Sequence, residues 1–138
     1  MREPVKDIDR LNHIRDISIV LLEWKQQYTF DQVQANPILY YGFVKHVEMI
    51  GEAVYMLSSQ FRETHDSLPW RDIESMRHVL VHGYYAINPH QLWQVIEQDI
   101  PVILPKIESF IRDLTAPQSP IPNPQSPIPN FFFTKFKS

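Results

Sequence analysis

The sequence predicts an all-α protein, an antiparallel bundle of four to five helices that occupies residues 1–114. One observation behind this prediction is that apolar residues recur at steps of three and four along almost all of residues 5–114. A second is that turn-forming residues and prolines interrupt this pattern only at short breaks, which suits connections between neighbouring helices. The chain has 138 residues, of which 43% are hydrophobic and 21% charged, so it can form one core.

The first two helices are predicted from their apolar stripes. Helix one is expected from about residue 5 to residue 27, with one stripe formed by Leu11, Ile14, Ile17, Leu21 and Trp24. The stretch TFDQVQANP then predicts a break, because Asn36-Pro37 combines a turn former with a helix starter. Helix two is expected from about Pro37 to Phe61. The small residues Gly51 and Ala53 would let a neighbouring helix approach it closely.

Two more helices are predicted in the second half of the bundle. Residues 62–69 are expected to form a loop, and helix three should start at Pro69, which suits the first turn. The segment AINP then predicts a break, with Asn88 as N-cap of helix four. Two prolines, Pro101 and Pro105, lie inside that last helix, so we expect a kink or a break there.

The C-terminal segment, residues 115–138, differs in composition from the bundle. PQSPIPN occurs at 117–123 and again at 124–130, and FFFTKFKS follows. Proline at this density excludes a helix and predicts an extended, polyproline-type or disordered arm. Two interpretations remain open: a disordered tail left by a duplication, or an arm that docks on a partner or on a second copy of the chain.

Composition excludes several kinds of site. With no cysteine, the chain has neither a cysteine nucleophile nor a thiolate zinc site, and three glycines do not form a glycine-rich phosphate loop. A net charge of −3 means that RNA binding would need a local basic patch, or one built by two chains together. The charged amino terminus lacks the apolar segment of a signal peptide. No apolar run approaches the roughly 18 to 20 residues that span a bilayer, so we expect no membrane contact and a cytoplasmic protein.

The stretch RHVLVHGYY at 77–85 gathers groups that are suited to RNA cleavage without a metal. An arginine such as Arg77 can hold a phosphate through two hydrogen bonds. A histidine such as His82 can exchange a proton with a ribose 2′-hydroxyl or with the leaving oxygen. A tyrosine such as Tyr84 can donate a hydrogen bond or stack on a base. This chemistry makes the stretch the candidate site.

The helical positions of these groups raise a difficulty. Arg77 and Tyr84 lie in one row and His78 and His82 in another, with the two rows roughly 100° or more apart around the axis. One straight helix therefore does not direct all four side chains to one point. Either the helix ends near Gly83 and Tyr84 leaves the helical path, or a second chain completes the site.

Each of these residues also has a structural interpretation. Arg77 could be a solvated or ion-paired surface arginine, His82 a hydrogen-bonded structural histidine, and Tyr84 a packing residue. The pair His78 and His82, four residues apart, could ligate a metal, but no third ligand is evident nearby in the sequence, and no metal or cofactor is expected. A ferritin-like metal bundle needs Glu-x-x-His pairs, which this chain lacks.

Arg77, His82 and Tyr84 together form the pattern R-X4-H-X-Y. This pattern resembles the signature of the HepT-like branch of HEPN-domain ribonuclease toxins. The similarity continues in the same order through IGEAVYMLSSQF at 50–61, LPWRDIESMRHVLVHGYY at 68–85 and LWQVIEQDIPVILPKI at 92–107. It covers roughly residues 5–114, but the repeats of the C-terminal segment have no counterpart in the family pattern. The resemblance implies a HEPN-like bundle that forms a homodimer, with the two motifs in one composite cleft.

The resemblance also implies roles for single residues. By position, Arg77 and His82 would be the catalytic pair of a metal-independent endoribonuclease that cleaves cellular RNA, with tRNA as the expected target. His78 takes the polar position that commonly follows the arginine in these motifs. Glu52 is expected either to orient groups in the cleft or to form a surface salt bridge.

The implied biological setting is a cytoplasmic toxin of a type VII-like toxin–antitoxin system. Its partner would be an antitoxin of the MNT type, a minimal nucleotidyltransferase that transfers AMP to Tyr84. AMP on Tyr84 would place an anion where a substrate phosphate should lie and engage Arg77. The alternative interpretation is a non-catalytic helical adaptor or substrate of a nucleotidyltransferase, which would not need the pair of Arg77 and His82.

Overall fold

The computed structural model describes residues 4–115 and residue 133, and the elements in this part of the chain are helices, with no strand. Seven α-helices occur there: α1 (Pro4–Gln27), α2 (Phe30–Ala35), α3 (Pro37–Tyr55), α4 (Ser59–Thr64), α5 (Trp70–His82), α6 (Pro89–Gln94) and α7 (Ile100–Thr115). A 3-10 turn (Tyr84–Ala86) follows α5, and a π-helical turn (Val95–Asp99) joins α6 to α7. The predicted all-α bundle is confirmed. None of the helices in these ranges is long and apolar enough to cross a membrane.

The four longest helices pack side by side around one core. Helix α3 packs against α1 and α5, and α1 also packs against α7. The predicted stripe of α1 is buried at Leu11, Ile14, Ile17 and Leu21. Burying each such side chain contributes roughly 1.5–3 kcal/mol, so this stripe holds α1 against its neighbours. Tyr41 and Tyr55 of α3 and Val81 of α5 are exposed.

The break predicted between the first two helices contains a short helix, α2, so that prediction is wrong in part. Its first turn has a capping box: Thr29 Oγ1 accepts a hydrogen bond from Gln32 N at 3.1 Å, and Gln32 Oε1 accepts one from Thr29 N at 2.8 Å. This reciprocal pair satisfies two donors at the helix start. Burial of Val33 holds the short helix on the core.

The prediction of one helix from Pro37 to Phe61 is also wrong, because α3 ends at Tyr55 and a separate helix follows. The break is held by Asp7 of α1, whose carboxylate accepts hydrogen bonds from Ser58 N at 2.8 Å and from Ser58 Oγ at 2.7 Å. Ser58 Oγ in turn accepts a hydrogen bond from Phe61 N and caps α4. The predicted loop 62–69 is correspondingly shorter, since α4 continues to Thr64.

The last predicted helix is interrupted, as its prolines indicated. A π-helical turn ends at Asp99, and Pro101 has no N–H to donate to the carbonyl of Glu97 within that turn. Helix α7 continues through Pro105, however, so this second proline does not end the helix. The predicted cap at Asn88 is confirmed, since its side chain accepts a hydrogen bond from His90 N. Asn36, predicted only as a turn former, caps α3 in the same way.

Thr115, the first residue of the predicted arm, is instead the last residue of α7. The rest of the arm lies outside the described residues except at Phe133. This side chain is fully buried, and its backbone N–H donates to Oδ2 of Asp99 at 3.0 Å. Asp99 is only 2% exposed and belongs to the π-helical turn. A buried carboxylate needs hydrogen-bond donors, so Phe133 contributes both apolar volume and one such donor to this part of the core.

Candidate functional site

The candidate site begins at a close contact between α3 and α5, at Gly51. A Cβ atom placed on this glycine would lie 2.9 Å from Arg77 Cβ and 3.1 Å from Ile73 O. Such distances leave no room for a side chain, so only glycine allows this separation of the helices. The prediction that Gly51 admits a close neighbour is confirmed. The contact sets the position of the Arg77 backbone relative to α3.

Two residues of α3 hold the Arg77 side chain. Its Nε contacts Oε2 of Glu52, and its Cζ lies 4.8 Å from the ring centroid of Tyr55. Glu52 and Tyr55 are three residues apart and therefore lie on one face of α3. The guanidinium thus has a carboxylate and an aromatic face as neighbours, an ion pair and a cation–π contact.

This cluster remains accessible to solvent. The side chain of Arg77 is 36% exposed and that of Glu52 is 50% exposed. An ion pair at such exposure contributes at most about 1 kcal/mol to stability, because water screens it. The arrangement therefore orients the guanidinium more than it stabilises the fold. An arginine has five N–H donors, so contact with Glu52 does not use all its capacity to bind a phosphate.

The two histidines of α5 form a second cluster. The ring centroids of His78 and His82 are 4.6 Å apart, and both residues are exposed. Helix α5 ends at His82, and the Gly83 N–H donates to Val79 O at 2.7 Å. The backbone of Tyr84 begins the 3-10 turn, so the helical path changes near Gly83, which was one of the two alternatives left open by the sequence. The side chain of Tyr84 lies outside the described part of the structure.

The structure therefore brings the predicted site residues together in two groups. Glu52 lies against Arg77, and His78 lies against His82. Arg77 and His82 are five positions apart on one helix, which separates their directions by roughly 140°. Tyr55 was not predicted to belong to the site, although its spacing of three residues from Glu52 is visible in the sequence. Only the packing of α3 on α5 places its ring against Arg77.

An open groove of about 380 Å³ lies between α3 and α5. It is lined by Tyr41, Val44, Lys45, Glu48, Leu80 and Val81. Val81 is 44% exposed and lies on α5 between Arg77 and His82 in sequence. An apolar side chain is thus presented to solvent next to the candidate catalytic groups. Within residues 4–115 and residue 133, no group of three or more His, Asp or Glu side chains is placed to hold a metal ion.

Comparison with known proteins decides the family. The model of the family described as "Ribonuclease HepT-like" matches residues 5–112, which include every predicted site residue. This chain belongs to the HepT-like ribonuclease family. The predicted family is confirmed, and the chain is a HEPN-type ribonuclease by family.

Several curated proteins are similar to this chain over most of their own length. The protein named "Putative RNase TTE0752" from Caldanaerobacter subterraneus is 33% identical over 74% of this chain and 91% of that protein. "Probable ribonuclease HepT" from Thermococcus cleftensis is 27% identical over 72% of this chain and 91% of its own length. No solved structure matches the chain.

Proposed function

We propose that this HepT-like ribonuclease is a metal-independent endoribonuclease toxin that cleaves cellular RNA, with tRNA as its expected substrate. The observation that supports this most is the Arg77 guanidinium, which contacts Glu52 and Tyr55 of α3. Arg77 itself lies on α5, the helix that also carries the adjacent histidines His78 and His82. An oriented, solvent-accessible guanidinium is suited to bind a phosphate and to offset the charge that develops on it.

The proposed reaction is transesterification. The ribose 2′-oxygen attacks the adjacent phosphorus and the bond from phosphorus to the 5′-oxygen breaks, which leaves a 2′,3′-cyclic phosphate and a 5′-hydroxyl. The 2′-hydroxyl gives its proton to a neutral imidazole, and the 5′-oxygen receives a proton from an imidazolium. His82 is the proposed acid–base group, with His78 beside it, and Arg77 stabilises the phosphate in the transition state.

We further propose that the active form is a homodimer built on the outer surface of α5. Arg77 and His82 of one chain point in directions roughly 140° apart, so a second copy is needed to bring a histidine and an arginine to one phosphate. Val81, an exposed apolar residue between them, is suited to the interface. In such a dimer the two copies of His82 take the two proton-transfer roles.

The dimer proposal is tested by replacing one exposed valine with a charge. Val81→Asp is expected to convert the protein to a monomer and abolish cleavage, because an unpaired carboxylate buried at the interface makes the free energy of dimer association less favourable. Val102→Asp is the matched control, because Val102 is 40% exposed and lies on α7. Light scattering after size-exclusion chromatography measures the mass. A monomeric wild type that still cleaves RNA would contradict the dimer.

The catalytic proposal is tested by RNA cleavage in EDTA with total tRNA as substrate. His82→Ala and Arg77→Ala are each expected to lower the rate roughly 100-fold or more. His13→Ala, an exposed histidine of α1, is the first control. Arg15→Ala is the second, since Arg15 is 34% exposed and ion-paired with Asp16, much as Arg77 is with Glu52. Both controls are expected to cleave like the wild type.

The outcomes separate the parts of the proposal. Cleavage that is lost in EDTA and restored by Mg²⁺ would overturn metal independence but not the ribonuclease assignment. Products that end in a 3′-hydroxyl would overturn transesterification. Equal loss of activity in Arg15→Ala and Arg77→Ala would contradict the proposed role of Arg77 in stabilising the phosphate.

We propose finally that an MNT-type nucleotidyltransferase neutralises the toxin by transferring AMP to Tyr84. The proposal rests on the place of Tyr84 in the R-X4-H-X-Y pattern, two residues after His82 and at the start of the 3-10 turn that follows α5. Incubation with such an enzyme and ATP should add AMP to the wild type and to Tyr85→Phe, but not to Tyr84→Phe. Modification without any cleavage activity in the unmodified protein would favour the non-catalytic adaptor instead.

A further inference from the structure

Tyr55 is the aromatic residue whose ring lies against the candidate phosphate-binding arginine. It is the last residue of α3, and its ring centroid lies 4.8 Å from Arg77 Cζ. A tyrosine that served only to pack the helices together would be largely covered. Tyr55 is 49% exposed, although it lies beside a close contact between two helices. Half of its surface is therefore free to meet a ligand.

The neighbouring charges indicate which ligand fits this ring. Arg77 supplies a cation for a phosphate, and Glu52 restrains the arginine from the side of α3. In a nucleic acid, each phosphate has a base on the adjoining sugar, so a flat apolar group arrives together with the anion. Unstacked RNA bases bind proteins by stacking on aromatic side chains and on arginine guanidinium planes. Tyr55 and Arg77 present both kinds of surface side by side.

We propose that Tyr55 is a base-binding residue, on which a nucleobase next to the scissile phosphate stacks while Arg77 holds that phosphate. This inference rests on the proposed ribonuclease function and names a substrate subsite for it. Stacking needs a base that has left its helix, so the subsite selects single-stranded or looped RNA. Because every base has a π-face, the subsite tolerates any base and contributes affinity rather than sequence preference.

The test measures RNA binding instead of cleavage, so that its failure differs from a failure of the ribonuclease proposal. His82→Ala serves as the background in which bound RNA stays intact. The probes are single-stranded RNAs of one mixed sequence, each with one abasic nucleotide at a different position. With Tyr55 present, an abasic nucleotide at one position or two adjacent positions should weaken binding about 5- to 150-fold. At the other positions the change should be small.

Two substitutions of Tyr55 complete the experiment. Tyr55→Leu keeps an apolar side chain but cannot stack, so it should weaken binding of intact RNA about 5- to 150-fold and make the sensitive abasic position unimportant. Tyr55→Phe keeps the ring and should bind within about twofold of the parent, since base stacking needs the ring face and not the hydroxyl.

Three results would overturn the inference. In the first, Tyr55→Leu binds intact RNA as tightly as the parent. In the second, it weakens binding of intact and abasic RNAs equally, as expected if Tyr55 only positions Arg77. In the third, it changes the oligomeric state, as expected if the ring packs against a second copy. Loss of stacking in a protein that never cleaves RNA would support the subsite while refuting the proposed catalysis.

Discussion

Replacing Gly51 with alanine tests whether the α3–α5 contact sets both the stability and the candidate site. The added Cβ would lie 2.9 Å from Arg77 Cβ, 3.0 Å from Arg77 N and 3.1 Å from Ile73 O. Two of these three atoms belong to the backbone of α5, so no side-chain rotation relieves the overlap. The whole helix has to move away from α3.

The expected magnitude follows from two opposing contributions. Alanine in place of glycine inside a helix stabilises by about 0.5–1 kcal/mol, because the unfolded chain loses less entropy on folding. Overpacking of a close contact costs roughly 1–3 kcal/mol. Gly42 of the same helix provides the matched control, since a Cβ there meets nothing within 4 Å. Gly42→Ala should therefore show the first contribution alone.

The assay is urea unfolding of both variants, followed by far-UV circular dichroism at 25 °C. We expect Gly42→Ala to be more stable than the wild type and Gly51→Ala to be about 1–3 kcal/mol less stable than Gly42→Ala. RNA cleavage is the second measurement. Moving α5 displaces Arg77 from Glu52 and Tyr55, and misplacement by about 1 Å can lower a rate 100-fold.

Equal stability of the two alanine variants would mean that α5 yields at Gly51 without cost and that this contact does not set the stability. Normal cleavage by a destabilised Gly51→Ala would be equally informative. It would show that the contact supports the fold but does not position Arg77.

Three further predictions concern single contacts. Glu52→Gln should change the free energy of unfolding by less than about 1 kcal/mol, because the ion pair of Glu52 with Arg77 is exposed. Since this contact orients the Arg77 guanidinium, the same substitution should lower kcat without weakening RNA binding. Steady-state kinetics with a separate binding titration measures this. Asp7→Ala removes two hydrogen bonds to Ser58 from a carboxylate that is 6% exposed, so it should cost roughly 3 kcal/mol in urea unfolding. Phe133→Ala should cost about 3–5 kcal/mol in the same assay if the fully buried ring belongs to the core. A loss below about 1 kcal/mol would mean that it does not.

The local features of the fold could be predicted from the sequence. The spacing of apolar residues located the stripe of α1, and the Asn-Pro pairs marked the starts of α3 and α6. These signals depend on neighbours within one or two helical turns, so they need no knowledge of the rest of the chain. The capping box at Thr29 and Gln32 has the same local nature, and α2 could have been predicted from it.

The candidate residues of α5 were also visible in the sequence, because the R-X4-H-X-Y pattern lies in one continuous stretch. That pattern, together with the stretches at 50–61, 68–85 and 92–107, predicted the family that the comparison with known proteins shows. Of the two alternatives that the sequence left open, an end of the helix near Gly83 is what the backbone has, and glycine is the poorest helix former after proline.

The sequence by itself determined the helical class, most helix starts and the family motif, because short-range hydrogen bonds and periodic burial specify these features. The end of α3 depends on tertiary structure, since the break after it is held by a hydrogen bond from Ser58 to Asp7, 51 residues apart in sequence. Tertiary structure also decided that Tyr55 and Glu52 face Arg77. That arrangement depends on the distance between two packed helices at Gly51, and no local signal in either helix specifies such a distance.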